Sequence, residues 1–364
     1  MKFAVIPWVE SLMRDCLFDI DDYIKNPDNR FTPYLDMKME FEHRGDQFHT
    51  IDIYDNLSEV DWFLFFEQND IWLEKIIRAG KADKMIYCNA EPPTVYSWNC
   101  PKGYIKLKKF YPFIMTWNDE WVDNETVFKR NIPYYFVDNR KGVVWEKRKL
   151  LTSISGNKCS NDVNELYSER ERVISFFEKK EKQEFDFYGT GWDKTKHSNY
   201  CGKVISKAET FQKYKFAICF ENSKNLSGYI TEKILDCFTS GIVPIYAGAP
   251  NIDKYIPSSA FINYFEFESL DALDTFINNI TEEQYWQYLD SANSFLNSDA
   301  VNMFSGKKYA EYVYEMISHV KEFRVHKCDL WSLQLKNRMT KVKCELKNII
   351  KYYMRKRRSE KTIT

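Results

Sequence analysis

The chain lacks the marks of several protein classes. Its nine cysteines include no C-x-x-C pair and no Cys/His cluster, so nothing has the ligand spacing of a zinc module. An odd, unpatterned set of thiols suits a reducing compartment. Net charge is nearly absent: 52 Lys and Arg oppose 53 Asp and Glu, for −1. That argues against a general nucleic-acid binder, whose footprint would be strongly basic. No apolar run approaches the roughly 20 residues that cross a bilayer. The first residues, MKFAVIPWVESLMRD, hold no apolar segment of signal-peptide length before Glu10. The expectation is a cytoplasmic protein, free or peripheral on the cytoplasmic face of a membrane. There is no internal repeat.

What is present is enough chain for two ordinary domains, with 364 residues of which 44% are hydrophobic. Aromatics reach 17%, which fits a Tyr- and Phe-rich core or stacking surfaces for sugar rings. Apolar runs at 3–9, 62–66, 84–88 and 110–116 read as strands. Between them, Asp70 opens a helical stretch that Gly80 stops. A second unit begins with a strand at 150–154, followed by Ser155-Gly156-Asn157. A charged helix over 164–182, a strand at 185–188 and a helix over 281–296 continue it. Strands alternating with helices predict an α/β protein with parallel sheets, in two halves facing across a cleft. The segment 136–149 reads as the linker. The expected units are 1–145, 146–334 and a basic tail over 335–364.

The most informative stretch is FAICFENSKNLSGYITEKILDCFTSGIVPIYAGAP, residues 216–250. A buried strand ends in Glu221-Asn222, a polar loop follows, and Thr231 caps a helix with Ile234, Leu235 and Phe238 inward. Gly241 stops that helix and a strand over 242–246 completes a βαβ unit. Ligands of parallel α/β sheets sit beyond the carboxyl ends of strands, against helix N-termini. Lys233 in a first turn opposes the helix dipole but suits a bound diphosphate. Glu232 can accept two hydrogen bonds from a vicinal diol such as a ribose. An ordinary solvated helix start is the bland alternative.

The ordered run F-E-N-S…G-Y-I-T-E-K-I-L-D…G-I-V-P-I-Y-x-G-x-P resembles the signature of glycosyltransferase family 10, the α-1,3/1,4-fucosyltransferases. Weaker similarity extends over about 150–280, and the first 150 residues resemble the family much less. The resemblance implies a GT-B fold, two Rossmann-like domains with the donor in the second, and inverting transfer of fucose from GDP-fucose to a glycan hydroxyl without metal or cofactor. It implies that Asn222, Tyr229, Glu232, Lys233 and Arg170 hold the donor, with Arg172 the rival arginine. It implies that Glu91, in IYCNAEPP, is the catalytic base. A related transferase using another nucleotide sugar, or a non-catalytic glycan-binding protein of the same fold, are the alternatives. Asp19-Ile20-Asp21 has the Asp-x-Asp pattern of metal-dependent transferases, but lies far from the donor motif and reads as a solvated surface.

The tail holds ten Lys or Arg against one Glu within 336–358, a local charge of +9 that leaves −10 for the remainder. Leu335, Met339, Val342, Leu346, Ile349 and Tyr353 recur at helical spacing. This basic amphipathic helix suits an anionic membrane surface, where a lipid-linked glycan acceptor would give it a purpose. A helix packed on the protein's own body is the alternative.

Overall fold

Strands buried on both faces read as continuous apolar runs, and Trp62–Phe66 buries all five of its side chains. The computed structural model describes residues 1–21, 26–140, 142, 144–180, 184–319 and 322–361. In its last helix, side chains are described to Lys343 and at Leu346.

The first half contains strands β1 (Lys2–Ile6), β2 (Gln47–Thr50), β3 (Trp62–Phe66), β4 (Met85–Cys88), β5 (Phe113–Thr116) and β6 (Val127–Lys129). Helices α1 (Thr32–His43), α2 (Asp70–Arg78) and α3 (Pro101–Leu107) connect them. The sheet is wholly parallel, in the order β2-β1-β3-β4-β5-β6. An irregular segment over 130–140 leads toward the second half. There β7 (Lys149–Ile154), β8 (Phe185–Tyr188), β9 (Tyr214–Phe220), β10 (Val243–Ala247) and β11 (Ile262–Asn263) form a second parallel sheet, ordered β11-β10-β9-β7-β8. Its helices are α4 (Tyr167–Glu178), α5 (Lys207–Phe211), α6 (Glu232–Ser240), α7 (Leu270–Asn279) and α8 (Glu282–Leu296). Apolar clusters cover both faces of each sheet.

The chain then turns back. Helix α9 (Gly306–Ile317) packs on α1, and its Tyr309, Ala310, Val313 and Met316 share a core with Phe3, Val5, Met37 and Phe41. The sequence division assigns 306–334 to the second unit. The apolar face of α9 instead completes the first, joining α1 and residues of the 12–31 segment in covering one side of the first sheet. The outgoing and returning segments touch: Tyr134 N donates to Phe304 O at 2.6 Å, and Asn131 Nδ2 to Met303 O at 3.4 Å.

Helix α10 (Lys327–Lys361) starts on the first domain. Leu333 is buried in the cluster of Leu73 and Ile76. Asn337 Nδ2 donates to Asp70 O and to Glu74 Oε2, at 3.0 and 2.8 Å, and Lys336 pairs with Asp70 at 2.5 Å. Leu335 within that footing and Met339, Val342 and Leu346 beyond it are all exposed. Ile349 and Tyr353 of the expected stripe lie outside the described side chains. No described helix is long and apolar enough to cross a membrane.

Candidate active site

In open α/β sheets the ligand crevice lies where neighbouring strands run on in opposite directions. In the second sheet that point is between β7 and β9. Ser155 and Gly156 follow β7, and Glu221 and Asn222 follow β9. A cleft of about 350 Å³ opens there, lined among others by Glu91, Ser155, Lys158, Arg170, Lys207, Asn222, Glu232, Lys233 and Asp236. Five of the six residues expected from the sequence therefore share one cavity. Glu91 comes from the first domain and the other four from the second.

Glu221 answers why a buried strand ends in an acid. It is fully buried, and Oε1 accepts from Thr231 N at 2.8 Å. Its Oε2 accepts from Thr231 Oγ1 at 2.8 Å and from Lys233 Nζ at 2.9 Å. The strand-end carboxylate thus anchors the N-terminus of α6 and aims its lysine. Thr231 caps the helix, accepting from Lys233 N, and Gly241 ends it at φ +70. Lys233 Nζ spends two of its three donors, on Glu221 and on Thr231 Oγ1 at 2.9 Å. Burial would lower its pKa, but Glu221 and Glu232 outweigh burial and hold the ammonium charged. Burial likewise pushes the Glu232 carboxyl up, while Lys233 and Lys207 overcome this and bring it down to about 2. Both ions are thus present at neutral pH.

The two arginines are told apart by position. Arg170 is 5% exposed and lines the cleft, with Nη2 donating to Phe220 O and Glu221 O at 2.8 and 3.0 Å. Arg172 points outward and pairs with Glu169. Asn222 lines the cleft, and among the described residues its side-chain amide makes no hydrogen bond. Tyr229 is not among the lining residues. Its ring is buried 4.8 Å from that of Trp117, sealing the second domain against the first. Gly228 permits this packing. At φ +80 it sits where a Cβ would lie 2.4 Å from Trp117 O and 2.7 Å from Asp119 Oδ1. Asp119 ties the domains again, accepting from Asn251 Nδ2 at 2.7 Å and Tyr255 Oη at 2.6 Å. Asp19 and Asp21 do not line the cleft.

Glu91 sits three residues past β4, in a loop held from beneath. Burial raises its pKa. Lys233 opposes the rise, Glu232 adds to it, and burial, the largest cause, leaves the net effect upward. A carboxylate that is half-buried, raised and at a cleft has the properties of a general base.

Sequence reasoning missed Glu67, Ser155, Lys207 and Asp236. Ser155 Oγ is buried without a partner at the cleft wall, as a group kept for a ligand would be. Lys207 Nζ pairs with Asp236 at 2.7 Å, bringing a second ammonium into the donor half. Glu67 is 5% exposed and adopts φ +70, rare for a residue with a side chain. Its Oε1 accepts from the backbone N–H groups of Ala90 and Glu91, at 2.7 and 2.8 Å.

The profile of glycosyltransferase family 10 (fucosyltransferase), C-terminal part, matches residues 145–348, more than half of the chain. The chain belongs to that family. Among family 10 relatives, the α-(1,3)-fucosyltransferase FucT of Helicobacter pylori is 35% identical over 106 residues, 29% of this chain and 21% of that protein. The α-(1,3)-fucosyltransferase 4 of Bos taurus is 42% identical over 78 residues, 20% of this chain and 19% of that one. The match thus spans about a fifth of each relative's length. A crystal structure of an α1,3-fucosyltransferase with GDP-fucose superposes with a TM-score of 0.51 at 15% identity, covering 89% of this chain and 92% of that chain. The shared architecture is the GT-B fold. The family match begins just before β7 and includes every donor-side residue named above.

Proposed function

We propose that this family 10 member is an inverting, metal-independent transferase that moves fucose from GDP-fucose to a hydroxyl of a glycan. One observation carries the reading: a raised carboxylate from the first domain and a cationic, diol-competent set from the second line one cleft.

Glu232 would take the ribose diol. Lys233, with its third N–H, Arg170 and the N-terminus of α6 would take the diphosphate. Asn222 and Ser155 would supply neutral hydrogen bonds. Glu91 would remove the proton from the acceptor hydroxyl as that oxygen bonds to C1 of fucose. The bond from C1 to the β-phosphate oxygen breaks at the same time, and GDP leaves with the electron pair. Attack opposite the leaving group inverts C1. The fixed cations would neutralise the charge that develops on the departing diphosphate.

The exposed apolar stripe of α10, beside Lys336, Arg338, Lys341 and Lys343, supports a peripheral membrane location and a lipid-linked or oligosaccharide acceptor. The test is calorimetry with GDP, UDP and CMP, followed by transfer assays with labelled GDP-fucose on a glycan array, with and without EDTA. Preference for GDP and metal-free transfer are expected. Preference for another nucleotide would replace the donor. Tight GDP binding without transfer to any glycan would favour a binding protein.

A further inference from the structure

The base-bearing loop rests on a buried carboxyl group whose proton can be counted. Tyr87 Oη lies 2.7 Å from Glu67 Oε2 and 2.7 Å from Asn99 Oδ1. An oxygen–oxygen contact of that length holds a proton between the two atoms. There are two contacts, and the tyrosine brings one proton. The amide oxygen of Asn99 brings none. The second proton must therefore sit on Glu67: Glu67 Oε2–H donates to Tyr87 Oη, and Tyr87 Oη–H donates to Asn99 Oδ1.

Turning the Asn99 amide over does not remove the need. As placed, its Nδ2 donates to Glu67 Oε1 and Oε2, at 3.1 and 3.0 Å, and to Glu91 O at 2.7 Å. Reversed, its oxygen would face the Glu91 carbonyl with no proton available to either.

We infer that Glu67 is a neutral carboxylic acid and the positioning residue of Glu91. Its Oε1 takes the N–H groups of Ala90 and Glu91, while Asn99 binds the carbonyl of Glu91. The backbone on both sides of the base is thus fixed by one acid–tyrosine–amide unit. This rests on the reading of Glu91 as the base.

The surroundings favour the neutral form. Among the described residues, the titratable groups coupled to Glu67 are Tyr87, Tyr96, Tyr111, Cys88 and Glu91, none of them a cation. Burial outweighs the hydrogen bonds that Glu67 accepts and pushes its carboxyl above the usual range. Ionised, it would add a negative charge facing Glu91. Neutral, it orients the base without doing so.

The test uses the full-length protein and the variants E67Q, E67A, Y87F and E91Q. A glutamine can accept both backbone N–H groups through its oxygen and donate to Tyr87 through its nitrogen, as the neutral acid does, while Asn99 Nδ2 keeps the glutamine oxygen and loses the second acceptor. E67A should lower kcat about 100-fold, the scale of a base displaced by about 1 Å, with KM for GDP-fucose little changed. E67Q should recover most of that loss. The infrared difference between wild type and E67Q at neutral pH should contain the C=O stretch of a protonated carboxylic acid, shifted in Y87F. An E67Q variant as slow as E67A would overturn the proposal, as would a difference spectrum showing only carboxylate bands. If E67A does not fold, E67Q and the spectrum still decide. Full turnover in E91Q would instead remove the base assignment, and the protonation of Glu67 would be judged by the spectrum alone.

Discussion

Replacing Lys233 by methionine separates what that lysine does for the fold from what it does for the donor. Two of its N–H groups bind Glu221 and Thr231, and the third remains for a ligand. Loss of one charge-assisted bond to a diphosphate is worth about 1.5–3 kcal/mol, or roughly a 10- to 150-fold rise in the Kd for GDP. The fold is affected separately. Glu221 is fully buried and would lose its cation. Removing one member of a buried pair costs about 3–5 kcal/mol. The lower end applies, because Thr231 still donates twice to Glu221 and Lys233 is 26% exposed. Adding E221Q removes the stranded charge, so K233M/E221Q should regain most of the stability and none of the affinity. Denaturant titration and calorimetry with GDP measure the two effects. A K233M protein that binds GDP like wild type would refute the donor role. A double variant that regains affinity would show that Lys233 acts only through the fold.

Glu91→Gln should lower turnover about 10²- to 10⁴-fold with donor binding kept. The base works ionised and its pKa is raised, so wild-type kcat/KM should fall on acidification at a pH above that of an ordinary carboxylate, and this limb should be missing from E91Q. Gly228→Ala places a methyl against Trp117 O at a positive φ, and should cost about 1–3 kcal/mol and weaken GDP binding; native stability would contradict the close approach. A chain stopped after Asn337 keeps the contacts of α10 with α2, so it should retain activity on soluble acceptors and lose flotation with anionic vesicles. Flotation of the full chain should weaken as salt rises, and full-length protein that ignores such vesicles at low salt would leave the exposed stripe without this purpose.

The α/β character and most strands were legible because buried parallel strands are written as unbroken apolar runs, as at Trp62–Phe66 and Phe216–Phe220. Helix α6 was legible at both ends, because Thr231 and Gly241 are chemically suited to those positions. The place of α9 was not. Its apolar spacing shows that one face is covered and says nothing of which sheet covers it. Lys207 and Asp236 escaped notice because they meet only in space, from α5 and α6. Glu67 could have been found. It ends the run Trp62–Phe66 as Glu221 ends Phe216–Phe220, and in both places the acid binds backbone N–H groups of a neighbouring segment. Tyr229 stands in the family motif, yet packing against Trp117 decides its position. A motif records that a residue type is needed and not which neighbour needs it.

The chain passes between the domains twice, outward after β6 and back before α9, and the two passages are bonded to each other through Tyr134 and Asn131. A single strand between two bodies is a tether, which permits swivel, twist and separation. Two passages side by side act as a door hinge, which permits one swing. Rotation about that line would carry Glu91 toward or away from α6 along one arc, and would have to release the bonds of Asp119 to Asn251 and Tyr255. Sliding or twisting would have to break the bonds between the passages. On the proposed function, entry of donor and acceptor and exit of GDP would draw on that one swing, and a side chain that stiffens residues 130–134 or 303–304 should slow all three together.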